Sequence, residues 1–182
     1  MKFQHKLTEE PFISELNKHF GFLKKPLLKF NGYIIGEPCL YYLSEPPRPP
    51  CPRIKLHFPI DTDIKDIKDE FSKKYPNSFI TTHIDDSGFL VFHNNIWLSI
   101  SKSHIYGSME YVVDNYIDLS IHQIGYDFKT VYFGKHTLED IKNELLRIVN
   151  FNDPETTYWN VHKYMGRGFK PTEYTLLMMD LF

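Results

Sequence analysis

The sequence predicts an α+β fold: a central, mostly antiparallel β-sheet in a meander, with about three to four helices packed on it. Three observations carry this. Between residues 78 and 133, short runs rich in Ile, Val, Phe and Tyr follow one another, separated by turn residues such as Asp85-Asp86-Ser87 and Asn94-Asn95; this is the pattern of consecutive antiparallel strands. Two segments, 61–75 and 137–149, repeat apolar residues at helical spacing. The 182 residues, 42% hydrophobic and 24% charged, suit a globular chain with one core.

In chain order, 8–20 reads as a helix capped by Thr8, with Phe12, Ile13, Leu16 and Phe20 on one face and Gly21 as its stop. Leu27-Leu28-Lys29-Phe30 and Tyr33-Ile34-Ile35 flank Asn31-Gly32, which predicts a hairpin with a type I′ turn. A further strand is expected over 39–43. Six of the twelve prolines fall between Pro38 and Pro52. The stretch 45–53 therefore reads as a stiff connector, and 1–52 as a possible N-terminal lobe of an otherwise single domain. Arg53 to Phe58 alternates, with Ile54, Leu56 and Phe58 on one side, as a half-buried strand does. In the helix over 61–75, Asp61, Thr62 and Asp63 supply the cap, Ile64, Ile67 and Phe71 the stripe, and Pro76 the end.

Strands are expected over 78–84, 88–93, 96–101 and 128–133, and over 110–116 and 117–121 as either one long strand or two. The first two pair as a hairpin that sets Ile80 opposite His93. The helix over 137–149 opens with a capping-box pattern, Thr137 and Asp140, and carries Leu138, Ile141, Leu145 and Ile148 as its stripe. The segment 158–170 interleaves Tyr158, Trp159, Tyr164 and Phe169 with Lys163, Arg167 and Lys170. That is the texture of a nucleic-acid stacking platform, and also of a docked C-terminal segment, which is the reading preferred. A last helix is expected over 172–182.

The chain contains no alanine, so its core is expected to be built from large side chains, with helices leaning on sheets. Cys39 and Cys51 alone, with no signal-peptide core in residues 1–10, read as reduced thiols in a cytoplasmic protein. No apolar run reaches membrane-helix length. Net charge is −2, which argues against a dedicated nucleic-acid binder. The charge is uneven: in residues 61–125, five basic against ten acidic groups give −5.

Candidate chemistry is sparse. His83, Asp85 and His93 have the residue types of a two-histidine, one-carboxylate metal site. Strand alternation puts His93 on the face opposite His83, so no metal is expected. His104 and His122, with Lys102 and Tyr106, could serve as an acid–base pair for metal-independent RNA cleavage, which needs two imidazoles titrating near 7. No phosphate-binding glycine loop and no nucleophile elbow occur, and no cofactor is expected. There remains an acidic set: Asp61, Asp63, Asp66, Asp69 and Glu70 on or before one helix, then Asp85 and Asp86 on a turn. Such a flank suits a basic protein partner.

The strand-rich centre over 78–133, the helix over 137–149 and the lack of a catalytic motif together resemble the small immunity proteins of bacterial toxin–immunity systems, including contact-dependent inhibition. The resemblance implies a non-catalytic cytosolic protein that occludes the active site of one toxin domain, such as a nuclease, without itself touching nucleic acid or membrane. The alternatives are the histidine-based, metal-independent ribonuclease or another hydrolase, and a phage-encoded or accessory interaction protein.

Overall fold

A computed structural model describes residues 2–3, 9–45, 53–82, 88–102 and 107–181; the side chains of 2, 3, 9, 44, 45 and 102 are not described. The expected Thr8 cap, most of the proline-rich stretch, Cys51, the turn carrying Asp85 and Asp86, and both His83 and His104 lie outside these residues.

The sheet is seven-stranded. Its strands are β1 (Tyr33–Ile35), β2 (Arg53–Phe58), β3 (Phe79–Thr82), β4 (Gly88–His93), β5 (Ile96–Lys102), β6 (Ile124–Tyr126) and β7 (Val131–Phe133). They lie in the order β3-β4-β5-β2-β1-β6-β7. All neighbours are antiparallel except β2 and β5, which run parallel, with Arg53 beside Trp97 and His57 beside Ser101. The class is α+β, as the sequence predicts. The described residues form eight α-helices, more than expected: α1 (Glu9–Phe20), α2 (Lys24–Lys29), α3 (Glu37–Leu43), α4 (Ile64–Lys74), α5 (Met109–Tyr116), α6 (Thr137–Lys142), α7 (Pro154–Met165) and α8 (Glu173–Met179).

Strand alternation divides the sheet into two faces. Ile34, Ile54, Leu56, Phe58, Val91, Leu98, Ile100 and Tyr126 point to one side and are buried against Phe12, Leu16 and Phe20 of α1, Leu27 of α2, Leu40 of α3, and Ile67 and Phe71 of α4. This cluster draws side chains from both sides of the proline-rich stretch and also takes Ile141, Val161 and Tyr164. On the other side, among the described residues, Met109, Val112 and Val113 of α5 cover β1 and β6, with Tyr132 of β7 packed at their edge. The close approach needs Gly125, since a Cβ there would lie 2.7 Å from the Met109 side chain.

The capping chemistry of α4 is as expected: the Asp63 carboxylate accepts from the Lys65 amide at 2.8 Å. Elsewhere several elements differ. Leu27 to Phe30 belongs mostly to a helix, because Leu23 and Leu27, four residues apart, are both fully buried. Asn31 takes φ 51° and the Gly32 amide donates back to the Leu27 carbonyl, so Asn-Gly ends a helix instead of turning a hairpin. Residues 39–43 fall in α3, which starts after Gly36 at φ 81°. Residues 110–116 fall in α5, capped by Ser108, with Met109, Val112 and Val113 at helical spacing; tertiary packing there overrides the β-propensity of the two valines. The helix expected over 137–149 stops at Lys142. Glu144 follows at φ 55°, and Leu145–Leu146 pairs in parallel with Lys170–Pro171. Thr137 and Asp140 form no capping box. The Thr137 hydroxyl donates to the Ser120 carbonyl, and Asp140 is fully buried beneath Arg147. In the β3–β4 hairpin Ile80 sits opposite Val91, two residues from the expected register, and His93 hydrogen-bonds with Ser78 at 2.8 Å.

Candidate functional site

Because α5 covers only one end of the second face, β2 is left open at the centre of the sheet. Its alternation, which buries Ile54, Leu56 and Phe58, necessarily presents Arg53, Lys55 and His57 on that open side. These three form the floor of a cleft of about 610 Å³, within the range of small-ligand sites. Its walls are Gly36 and Glu37 at the start of α3, Val112 and Tyr116 of α5, Asp118 and His122 beyond it, Thr156 and Asn160 of α7, and Ser101 of β5.

The charges in the cleft are arranged unequally. Glu37 is occupied: Lys163 donates to both its oxygens at 2.6 and 2.7 Å, and Tyr164 and Arg167 add bonds at 3.1 and 3.3 Å. Burial pushes the Glu37 carboxyl up, but the Lys163 hydrogen bond and the charges around it outweigh this and hold it below the usual glutamate value. Arg53 reaches Ser99 at 3.3 Å. Lys55, in contrast, makes no hydrogen bond or ion pair to a described residue. His57 is half-buried and stacked on Tyr33; burial, with the Lys55 charge beside it, lowers its pKa to about 4. His122 is buried edge-on to Tyr164, and burial lowers it too to about 4. Asp118 accepts from the Thr157 hydroxyl at 2.7 Å, and burial raises its carboxyl. Two buried atoms of the wall, Asp118 Oδ1 and His122 Nε2, have no partner among the described residues.

Of the described residues singled out from sequence as candidate sites, only His122 lines this cleft. At pKa about 4 it is neutral where an acid–base pair needs a group titrating near 7. Its proposed partner His104 and the side chain of Lys102 lie outside the described residues. Asp63 is spent on capping α4 and Glu70 is paired with Lys29, with Lys25 and Lys73 also acting on it. Asp66 and Asp69 are on α4 and Asp61 just before it, in the layer that covers the opposite face from the cleft. Among 158–170, Tyr164 and Phe169 are buried and Lys163 and Arg167 are engaged by Glu37, so that part of the segment is docked, while Trp159 stands exposed. Arg53, Lys55 and His57 had a visible signal, two cations and an imidazole on the polar side of one alternating strand. Glu37 and Asp118 had none.

No family model matches the chain, and no curated protein matches it. Its fold is nevertheless one seen before, in tRNA nucleotidyltransferases. A CCA-adding enzyme solved with CTP superposes with a TM-score of 0.72 at 14% identity, over 98% of this chain and 46% of that one. The Thermotoga maritima CCA-adding enzyme with tRNA gives 0.70, 14%, 98% and 45%. A tRNA nucleotidyltransferase with primer tRNA and an incoming ATP analogue gives 0.68, 13%, 86% and 48%. The chain thus spans just under half the length of these enzymes. The expectation of a non-catalytic immunity protein, with a toxin as partner and no direct nucleic acid, is overturned by this likeness: the structures that share the fold are enzymes, captured with nucleotides and tRNA. No described helix is long and apolar enough to cross a membrane.

Polymerase-type nucleotidyl transfer uses divalent ions clamped by carboxylates. The described cleft does not fit such a centre. No group of three or more His, Cys, Asp or Glu side chains among the described residues could hold a metal ion. The floor strand carries Arg53 and Lys55, and both oxygens of Glu37 are taken by Lys163.

Proposed function

We propose that this chain is a nucleotide-handling domain on the tRNA-nucleotidyltransferase fold, and that its cleft binds a nucleoside triphosphate. The observation that carries this is the placement of Arg53 and Lys55, the latter unpaired among the described residues, side by side on the floor of a ligand-sized cleft. Phosphates take the two cations, Arg53 through its forked donors and Lys55 as a point charge. Ser101, Thr156 and Asn160 of the walls supply polar groups for the rest of the ligand. The fold supports the same reading, since structures that share it hold CTP and an ATP analogue.

Calorimetric titration of the chain with CTP and ATP tests this. Binding in the micromolar range is expected, with the loss of one charge-assisted contact, about 1.5–3 kcal/mol, in Lys55→Gln. Affinity indifferent to both Arg53→Gln and Lys55→Gln refutes the reading.

A further inference from the structure

The open face of the sheet extends beyond the cleft, and its side chains fall in cross-strand rows. One row runs Phe79 (β3), Phe92 (β4), Trp97 (β5), Arg53 (β2), each directly paired with the next. The next row runs Thr81, Leu90, Ser99, Lys55. Directly paired residues project to the same side, so three aromatic rings stand in line and end on a guanidinium. Strand spacing makes the row roughly 14 Å long. Two of the rings are open to solvent, Phe79 63% and Trp97 37% exposed, and Phe92 between them is half-buried, whereas Leu98 and Val91, on the other face, are fully buried. Phe92 and Trp97 support each other at 4.8 Å between centroids.

We propose that this face binds single-stranded RNA, with bases stacked on Phe79, Phe92 and Trp97 and the backbone phosphates on Arg53 and Lys55. Charge decides between this occupant and an apolar protein surface. Both described cations of the two rows lie at the same end, and neither row contains an acidic residue. An aromatic row beside a cationic edge is the arrangement by which sheets take unpaired bases, the rings being indifferent to base identity while the cations follow the backbone. The platform is also continuous with the cleft, since Arg53 and Lys55 belong to both. A strand lying across the rings therefore leads into the nucleotide site. The inference deepens the nucleotide-binding reading by naming a second, polymeric ligand, and it rests on that reading only through the two shared cations.

The test is fluorescence anisotropy of the full chain with a labelled eight-nucleotide RNA of mixed C and A, beside titration with CTP alone. The single strand is expected to bind better than a duplex of the same sequence. Phe79→Ala and Trp97→Ala should each weaken it by about fivefold or more, and the salt slope should be about −1.4 for two phosphate contacts. Phe79 is mostly solvent-exposed, so Phe79→Ala reports on binding without unfolding the sheet, and its affinity for CTP should equal that of the wild type. Oligonucleotide affinity unchanged in both variants, or a duplex bound as well as a single strand, overturns the proposal. If the octamer binds through the rings and CTP does not bind, the cleft reading falls and this one stands. If CTP binds and the octamer ignores the rings, the reverse holds. If neither ligand binds, both fall.

Discussion

Burying His122 as a neutral imidazole makes the stability of the protein depend on pH, by an amount that can be worked out. Its pKa is about 4 in the fold, against an ordinary value of 6.5, and burial is the main cause. The unfolded chain takes up this proton at higher pH than the folded one, so acidification favours unfolding. The loss begins as pH falls through 6.5 and is complete only below 4. By pH 5 the unfolded state has gained about 1.5 pH units of proton binding, at about 1.4 kcal/mol each, so this one residue costs about 2 kcal/mol between pH 8 and pH 5. Urea midpoints across that range measure it, with the m-value checked for constancy. His122→Gln shifts the whole curve by an unspecified amount but removes the titration, so the gap between wild type and variant should change by about 2 kcal/mol from pH 8 to pH 5. Curves that run parallel over the whole range would refute the assignment of a depressed, buried imidazole at this position.

Other expectations follow from single contacts. Asp140 is fully buried, accepts from Ser120 at 2.6 Å and from Arg147 at 2.9 and 3.1 Å; Asp140→Ala removes these charge-assisted bonds and leaves the Ser120 hydroxyl unpaired, and should cost about 1.5–3 kcal/mol in chemical denaturation, since the partly exposed Arg147 turns to solvent. Gly125→Val drives a branched side chain into Met109 and Val113, and should lower the melting temperature by several degrees, about 1–3 kcal/mol of overpacking. A phosphate in the cleft favours protonated His57, whose pKa is held to about 4 by burial and by Lys55. CTP affinity should therefore rise as pH is lowered from 7.5 to 5.5, and His57→Ala should flatten the dependence in calorimetry. Asp66→Asn with Asp69→Asn alters only a polar flank of α4, so stability should move by less than about 0.5 kcal/mol, with CTP titration unchanged.

What was readable in advance depended on how local the cause was. The Arg53–Phe58 strand and the α4 helix carry their period and cap within a dozen residues, and both appear as expected. The segments 110–116 and 39–43 are β-prone by composition but helical in the fold. What decides them is the surface each meets: Gly125 opens the sheet to Met109 and Val113, and residues 39–43 sit over the core of α1. The site was less legible still. Glu37 meets Lys163 and Arg167 more than a hundred residues away, and no spacing in the chain announces such a pairing. The aromatic row had the same difficulty, because Phe79, Phe92, Trp97 and Arg53 come from four strands and become neighbours only through register.

The order of amino acids therefore determined the fold class, the alternation of β2 that sends two cations and an imidazole to one side, and the absence of an acidic cluster suited to metals on that strand. Tertiary structure decided which face α5 leaves uncovered, and hence that those cations floor a cleft instead of merely meeting solvent. It also placed the cleft on the side of the sheet opposite the acidic residues of α4, whose local density is a property of a helix exterior. The physical reason is that periodicity is written in nearest neighbours, whereas a binding site is assembled from residues whose proximity depends on loop closure and packing between distant segments.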